Sequence, residues 1–106
     1  MILSKCGESL KIGDKVFTVG DRVLANDSSD YEGLYGEITE IKTDTDKDTE
    51  NEGVDIHVCF DVPEDEEMVR IIEKRFSELY GEPKTIDEIA LDLVIMAPEE
   101  LEIIEK

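Results

Sequence analysis

Three stretches decide the fold: Val19-Gly20-Asp21-Arg22-Val23-Leu24, then Gly33-Leu34-Tyr35-Gly36-Glu37-Ile38-Thr39-Glu40-Ile41, then Val54-Asp55-Ile56-His57-Val58-Cys59-Phe60-Asp61. They read as three strand patterns, the last of them cleanly alternating between apolar and polar residues. Glycines punctuate them where a strand bends or a turn needs unusual backbone angles. In the last stretch Ile56, Val58 and Phe60 share one face, and Asp55, His57, Cys59 and Asp61 share the other. The first set reads as core and the second as outward-facing. Ile38 and Ile41 are three apart rather than two, which predicts a bulge near Thr39 or Glu40.

Working outward, Ile12-Gly13-Asp14-Lys15-Val16 is echoed by Val19-Gly20-Asp21-Arg22-Val23. Both read as a turn feeding a strand. Met1 to Ser4 reads as a short strand or a frayed terminus. Asn26 to Asp30 is a polar loop, and Thr43 to Glu52 is an acidic hairpin loop closed by Gly53.

Pro63 then stops the sheet and opens a helix over about 64–80, with Glu64, Asp65, Glu66 and Glu67 near the positive end of its dipole. Met68, Ile72, Phe76 and Leu79 form its apolar stripe. Gly81 and Pro83 end it. Thr85-Ile86-Asp87-Glu88 is a capping-box pattern for a short second helix. Leu91 to Met96 reads as a strand buried on both faces, and Leu101 to Ile104 as a last short one.

The chain has 106 residues, the size of a single domain (1–106). The economical arrangement is α+β: an SH3-like, partly open antiparallel β-barrel whose strands span about 12–61. The helix over about 64–80 is inserted, and a closing helix and strands follow over about 86–104.

Asp and Glu number 29 against 11 Lys and Arg, a net charge of -18. Duplex DNA carries about one negative charge per 1.7 Å, so direct nucleic-acid binding is disfavoured unless cations cluster on one face. Arg70, Lys74 and Arg75 are the candidate cluster. The other nucleic-acid role is mimicry, with carboxylates imitating phosphates to block a nuclease. No apolar run reaches the ~20 residues that cross a bilayer. Cys6 and Cys59 are too few for a disulfide framework and fit a reducing compartment, so a cytoplasmic location is expected.

Motifs for chemistry are weak. Asp44-Thr45-Asp46-Lys47-Asp48 opens like a calcium loop, but its sixth position is Thr49 and its twelfth is Asp55. His57 and Cys59 sit roughly 7 Å apart on one strand face, too far for an activated-thiol pair. No Cys-x-x-Cys exists for zinc. The helix acids Glu66, Glu67, Glu73 and Glu78 read as a solvated face. No catalytic residue, metal or cofactor is assigned, and enzyme activity is not expected. Tyr31, Tyr35 and Tyr80 are the candidate surface aromatics, Tyr31 and Tyr35 flanking the glycine strand; such rings grip a peptide or stack bases, and equally serve as half-buried lids on the core. Together with Asp44, Asp46 and Asp48 of the acidic loop, Tyr31 and Tyr35 are the candidate partner-binding residues.

Gly20-Asp21-Arg22-Val23, Gly33-x-x-Gly36-x-Ile38-x-x-Ile41 and the strand ending at Phe60 resemble the SH3-like small barrels, including KOW and Tudor types. KOW modules are usually basic; this chain is acidic. A wider resemblance covers most of the chain. Tyr31-Glu32-Gly33-Leu34-Tyr35-Gly36, Asp46-Lys47-Asp48-Thr49-Glu50-Asn51-Glu52, Arg75-Phe76-Ser77-Glu78-Leu79-Tyr80, Pro83-Lys84 and Leu91-Asp92-Leu93-Val94-Ile95-Met96-Ala97-Pro98 look like a family of small acidic proteins of conjugative and other mobile elements in Gram-positive gut bacteria. Similar stretches occur as accessory domains of large polyvalent proteins. The resemblance implies an accessory role beside DNA-handling enzymes and carries over no active site. The expected function is a non-catalytic protein-interaction module docking on a basic partner such as a relaxase, primase or methyltransferase.

Overall fold

A computed structural model describes residues 1–43, 46–47, 49 and 53–104. It is a small α+β domain of mostly antiparallel strands and one helix. The strands are β1 (Ile2–Leu3), β2 (Ser9–Ile12), β3 (Lys15–Thr18), β4 (Arg22–Ala25), β5 (Tyr35–Lys42), β6 (Asp55–Phe60), β7 (Val94–Met96) and β8 (Leu101–Ile103). The helix α1 spans Glu66–Tyr80. Five strands run in the order β7-β6-β5-β4-β8, and β1 also pairs with β5. The strands β2 and β3 form a separate hairpin.

β5 is the hub because, at eight residues, it is long enough to pair with three other strands. It meets β4 through Arg22↔Glu37 and Val23↔Gly36, β1 through Leu3↔Ile41, and β6 along most of its length. The expected bulge is present: the β5–β6 register shifts between Ile38 and Glu40. The extra residue re-aims the strand so that Ile38 and Ile41 both reach the core despite their odd spacing. Val19 and Gly20 make the corner between hairpin and main sheet. The Val19 N–H donates to the Glu8 carbonyl at 2.9 Å, and the next N–H, that of Gly20, donates to the Ile38 carbonyl at 2.8 Å.

The buried side chains form one cluster that draws on the sheet, on Phe17 of the hairpin and on Ile72 and Phe76 of α1. The helix begins two residues later than Glu64. Asp65 is its N-cap, its carboxylate accepting the Glu67 N–H at 2.9 Å. Gly81 ends it in the left-handed conformation at φ 70°. Asp65→Ala is expected to lower stability by about 1 kcal/mol, read as a reduced midpoint in urea unfolding, while Asp65→Asn recovers most of it.

Four local expectations are corrected. The short second helix is a single 3-10 turn over Ile86–Glu88. The capping box is there, but Ile89 must turn into the core and the chain must then extend, so that the Leu91 carbonyl accepts the Phe60 N–H at 2.7 Å. That demand on the backbone ends the helix after one turn. The strand expected over 91–96 is only Val94–Met96, at the sheet edge beside β6; the chain bends at Asp92 and Leu93, leaving Leu93 76% exposed. Leu79 is exposed rather than buried, so the buried stripe of α1 ends at Phe76, with the exposed Tyr80 ring 6.2 Å from that of Phe76. Asp55 is fully buried rather than outward. Its carboxylate accepts the backbone N–H of Thr49 at 2.9 Å and the Thr49 hydroxyl, the hydrogen bonding that a buried charge requires.

Among the described residues no helix is long and apolar enough to cross a membrane.

Candidate functional site

The clearest concavity lies where β5 begins and β6 gives way to α1. It is a groove of about 490 Å³ lined by Gly33, Leu34, Tyr35, the run Asp61 to Asp65, and Met68. The local sequence explains it. Asp61 continues the ladder for one residue, its N–H donating to the Tyr35 carbonyl at 2.8 Å. Val62 and Pro63 then carry the chain off the sheet, since Pro63 has no N–H to offer a neighbouring strand. The Asp65 cap restarts the backbone as α1 one residue after Glu64. Between sheet and helix the chain leaves a cleft, and Met68 of the first helical turns lies along it.

Its walls are apolar and its rim is acidic. Tyr35 is 51% exposed and Val62 is 63% exposed. Asp61, Glu64 and Asp65 supply the carboxylates. Met68 lies against Gly33, where an added Cβ would come 2.6 Å from the Met68 methyl.

Asp61 is already engaged. Arg22 reaches across β5 from β4, and its two terminal nitrogens donate to the two oxygens of the Asp61 carboxylate, one of them at 3.3 Å. The hydrogen bond with Arg22 holds the Asp61 carboxyl below its usual range, and the same bond raises the Arg22 guanidinium. Glu37, directly opposite Arg22 in the ladder, adds to that rise.

The candidate residues from the sequence separate. Tyr35 stands on the groove wall. Tyr31 is half-buried, stacked on Phe60 at 5.1 Å between centroids and tilted against Phe76 at 5.0 Å, with its hydroxyl donating to the Ala90 carbonyl at 2.9 Å. It serves the packing of α1 against the sheet. Asp46 accepts from the N-terminal ammonium of Met1, so it faces β1. Asp44 and Asp48 lie outside the described residues.

Arg70, Lys74 and Arg75 all lie on α1 but have different surroundings. Arg75 donates to the backbone carbonyls of Asp30 at 2.7 Å and Glu32 at 3.1 Å, pinning the loop before β5 to the helix. Arg70 is exposed and ion-paired with Glu66 at 3.8 Å, and Lys74 is exposed one turn further on.

A second cleft of about 260 Å³ lies between the end of α1 and the 3-10 turn, lined by Tyr31, Phe76, Tyr80, Lys84, Glu88, Ile89 and Ala90. The chain's own cation already covers its exposed ring: Lys84 Nζ is 5.2 Å from the Tyr80 centroid and 2.8 Å from Glu82. Cys6 and Cys59 are free thiols. Among the described residues no group of three or more His, Cys, Asp or Glu side chains is placed to hold a metal ion.

Val62, Pro63 and Met68 are the groove residues that the pattern along the chain did not single out. Val62 and Pro63 read as a strand stop, and Met68 as one more residue of the core stripe. The available signal was an apolar pair stranded between a strand end and an acidic helix start. Compared with protein-family models, with curated proteins and with solved structures, the chain finds no match.

Proposed function

We propose that this domain is a non-catalytic protein-interaction module that docks a basic partner in the groove between β5 and α1. The observation that carries the reading is the apolar wall of exposed Tyr35 and Val62 and partly buried Met68 under an acidic rim. Exposed aromatic and aliphatic side chains in a concavity supply the anchor of a protein interface. The net charge of -18 steers cationic proteins toward it and repels polyanions.

The bulged central strand and the corner that swings the hairpin against the sheet support an SH3-like, partly open barrel as its frame. The resemblance to acidic accessory proteins of conjugative elements supplies the class of partner, a DNA-processing protein with a basic surface.

The test compares the wild-type domain with a Tyr35→Ala, Met68→Asp double variant, each immobilised and exposed to purified relaxase and primase proteins of such an element. The wild type is expected to retain one of these basic proteins, and the variant to bind it at least about tenfold more weakly. Equal retention by both forms overturns the groove as the docking site. A shifted single-stranded oligonucleotide at physiological salt, with no protein retained, overturns the reading in favour of a nucleic-acid role.

A further inference from the structure

We infer that the groove takes an apolar side chain flanked by arginine, and that Arg22 holds in cis the place on Asp61 that the partner's arginine takes in the complex. The inference rests on the docking role proposed above and names the chemistry of what docks.

The argument begins with the geometry of the pair. Both Asp61 oxygens receive guanidinium N–H groups from the two terminal nitrogens of Arg22. That fork is the arrangement by which carboxylates select arginine over lysine. The pair lies at the surface, with side chains 40% and 57% exposed, so solvent keeps it weak and exchangeable.

It also lies at the groove itself, because Asp61 is one of the lining residues and its backbone is bonded to that of Tyr35. An incoming apolar side chain against Tyr35, Val62 and Met68 therefore brings its neighbouring residue to Asp61. Arg22 has somewhere to go. Glu37 is its direct cross-strand partner and faces the same side of the sheet. Exchange replaces one arginine–carboxylate pair by two, Arg22 with Glu37 and the partner's arginine with Asp61, and strands no charge.

The remaining rim acids fix the polarity of the site. Asp65 is committed to capping α1, which leaves exposed Glu64 on the helix side for a second cation. The fitting segment thus carries one large apolar residue between two arginines.

The experiment is fluorescence anisotropy with a labelled peptide holding one phenylalanine between two arginines in a glycine–serine frame. Two control peptides replace the arginines by lysine or by serine. The proteins are the wild type, Arg22→Ala, and Lys11→Ala, which removes the same charge from the β2–β3 hairpin outside the groove.

Arg22→Ala is expected to tighten binding by about two- to fivefold, the worth of one exposed ion pair. Lys11→Ala is expected to change it by less than about 1.5-fold, since Lys11 is exposed on the hairpin and does not line the groove. The lysine peptide is expected to bind more weakly than the arginine peptide and to gain little from Arg22→Ala.

Equal effects of Arg22→Ala and Lys11→Ala overturn the place-holding role of Arg22. A serine peptide that binds as tightly as the arginine peptide overturns the partner chemistry while leaving the groove as a docking site. If none of the three peptides binds, the inference and the docking reading fall together.

Discussion

Gly36→Ala is expected to lower stability by about 3 kcal/mol, at the upper end of what overpacking a core costs. A Cβ at this position would lie 2.7 Å from Val58 Cγ1, 2.8 Å from the Cys59 carbonyl oxygen and 2.9 Å from Phe60 Cδ1. The side-chain atoms can rotate. The carbonyl cannot move without opening the ladder in which Gly36 pairs with Phe60 on one side and Val23 on the other. A domain of this size should lose at least about 12 °C of melting temperature from such a change. Glu37→Ala, the next residue and solvent-facing, is the control and should shift stability by less than about 0.5 kcal/mol. Equal and small effects of the two substitutions, measured by urea unfolding, would remove Gly36 as a site of close strand approach.

The second large effect is expected at Phe76, which is 3% exposed. Its ring joins a row of four aromatics that runs from Phe60 through Tyr31 and Phe76 to Tyr80. The row fastens α1 to β6 and to the loop before β5. Phe76→Ala opens a cavity in the middle of it and should cost about 3–5 kcal/mol, enough to unfold a marginal domain. Tyr31→Phe isolates a smaller contribution, the hydroxyl bond to Ala90, worth about 1 kcal/mol.

Alkaline titration separates the two effects. Burial pushes the Tyr31 hydroxyl above the ordinary tyrosine range, and the nearby Tyr80 and Asp30 push it the same way. The folded state therefore favours the neutral phenol. That contribution to stability is fully present below the unfolded tyrosine value of about 10 and is lost as pH rises through the higher folded value. Ultraviolet titration of the folded wild type should show a phenol that ionises above the ordinary tyrosine value, and Tyr31→Phe should abolish that step while Phe76→Ala moves it toward the ordinary value. A wild-type titration curve with no step that Tyr31→Phe removes above that value would refute the burial of Tyr31.

Much of the secondary structure is legible in the sequence because it is local. Ile56, Val58 and Phe60 alternate, and they lie on the buried face of β6. The uneven spacing of Ile38 and Ile41 marks a bulge, and the register shift falls there. Gly81 ends α1 as its position after the apolar stripe requires. What was not legible depends on contacts made far along the chain. Thr85 to Glu88 has the start signal of a helix, but the bond from Phe60 to Leu91 pulls the backbone straight after one turn. Asp55 sits on the polar parity of its strand, and the hydrogen bonds from Thr49, six residues away, help make its burial tolerable. Arg75 looks like one of three helical cations until the loop carbonyls of Asp30 and Glu32 claim it. The groove is invisible for the same reason. Tyr35, Val62 and Met68 belong to three different elements, and nothing in their spacing says that a strand end, a proline break and a helix start converge.

The hub position of β5 also sets the order in which a growing chain can settle. β5 emerges from the ribosome with β4 already made, but its other flank stays bare until β6 follows the acidic loop. β4 in turn waits for β8, close to the last residues described, to pair with its outer side. Nascent chains on a polysome therefore carry open strand edges for most of synthesis, the condition under which neighbouring polypeptides pair with one another. The abundance of carboxylates gives each unfinished copy a reason to stay away from the next, so the net charge of -18 guards the domain before it is complete.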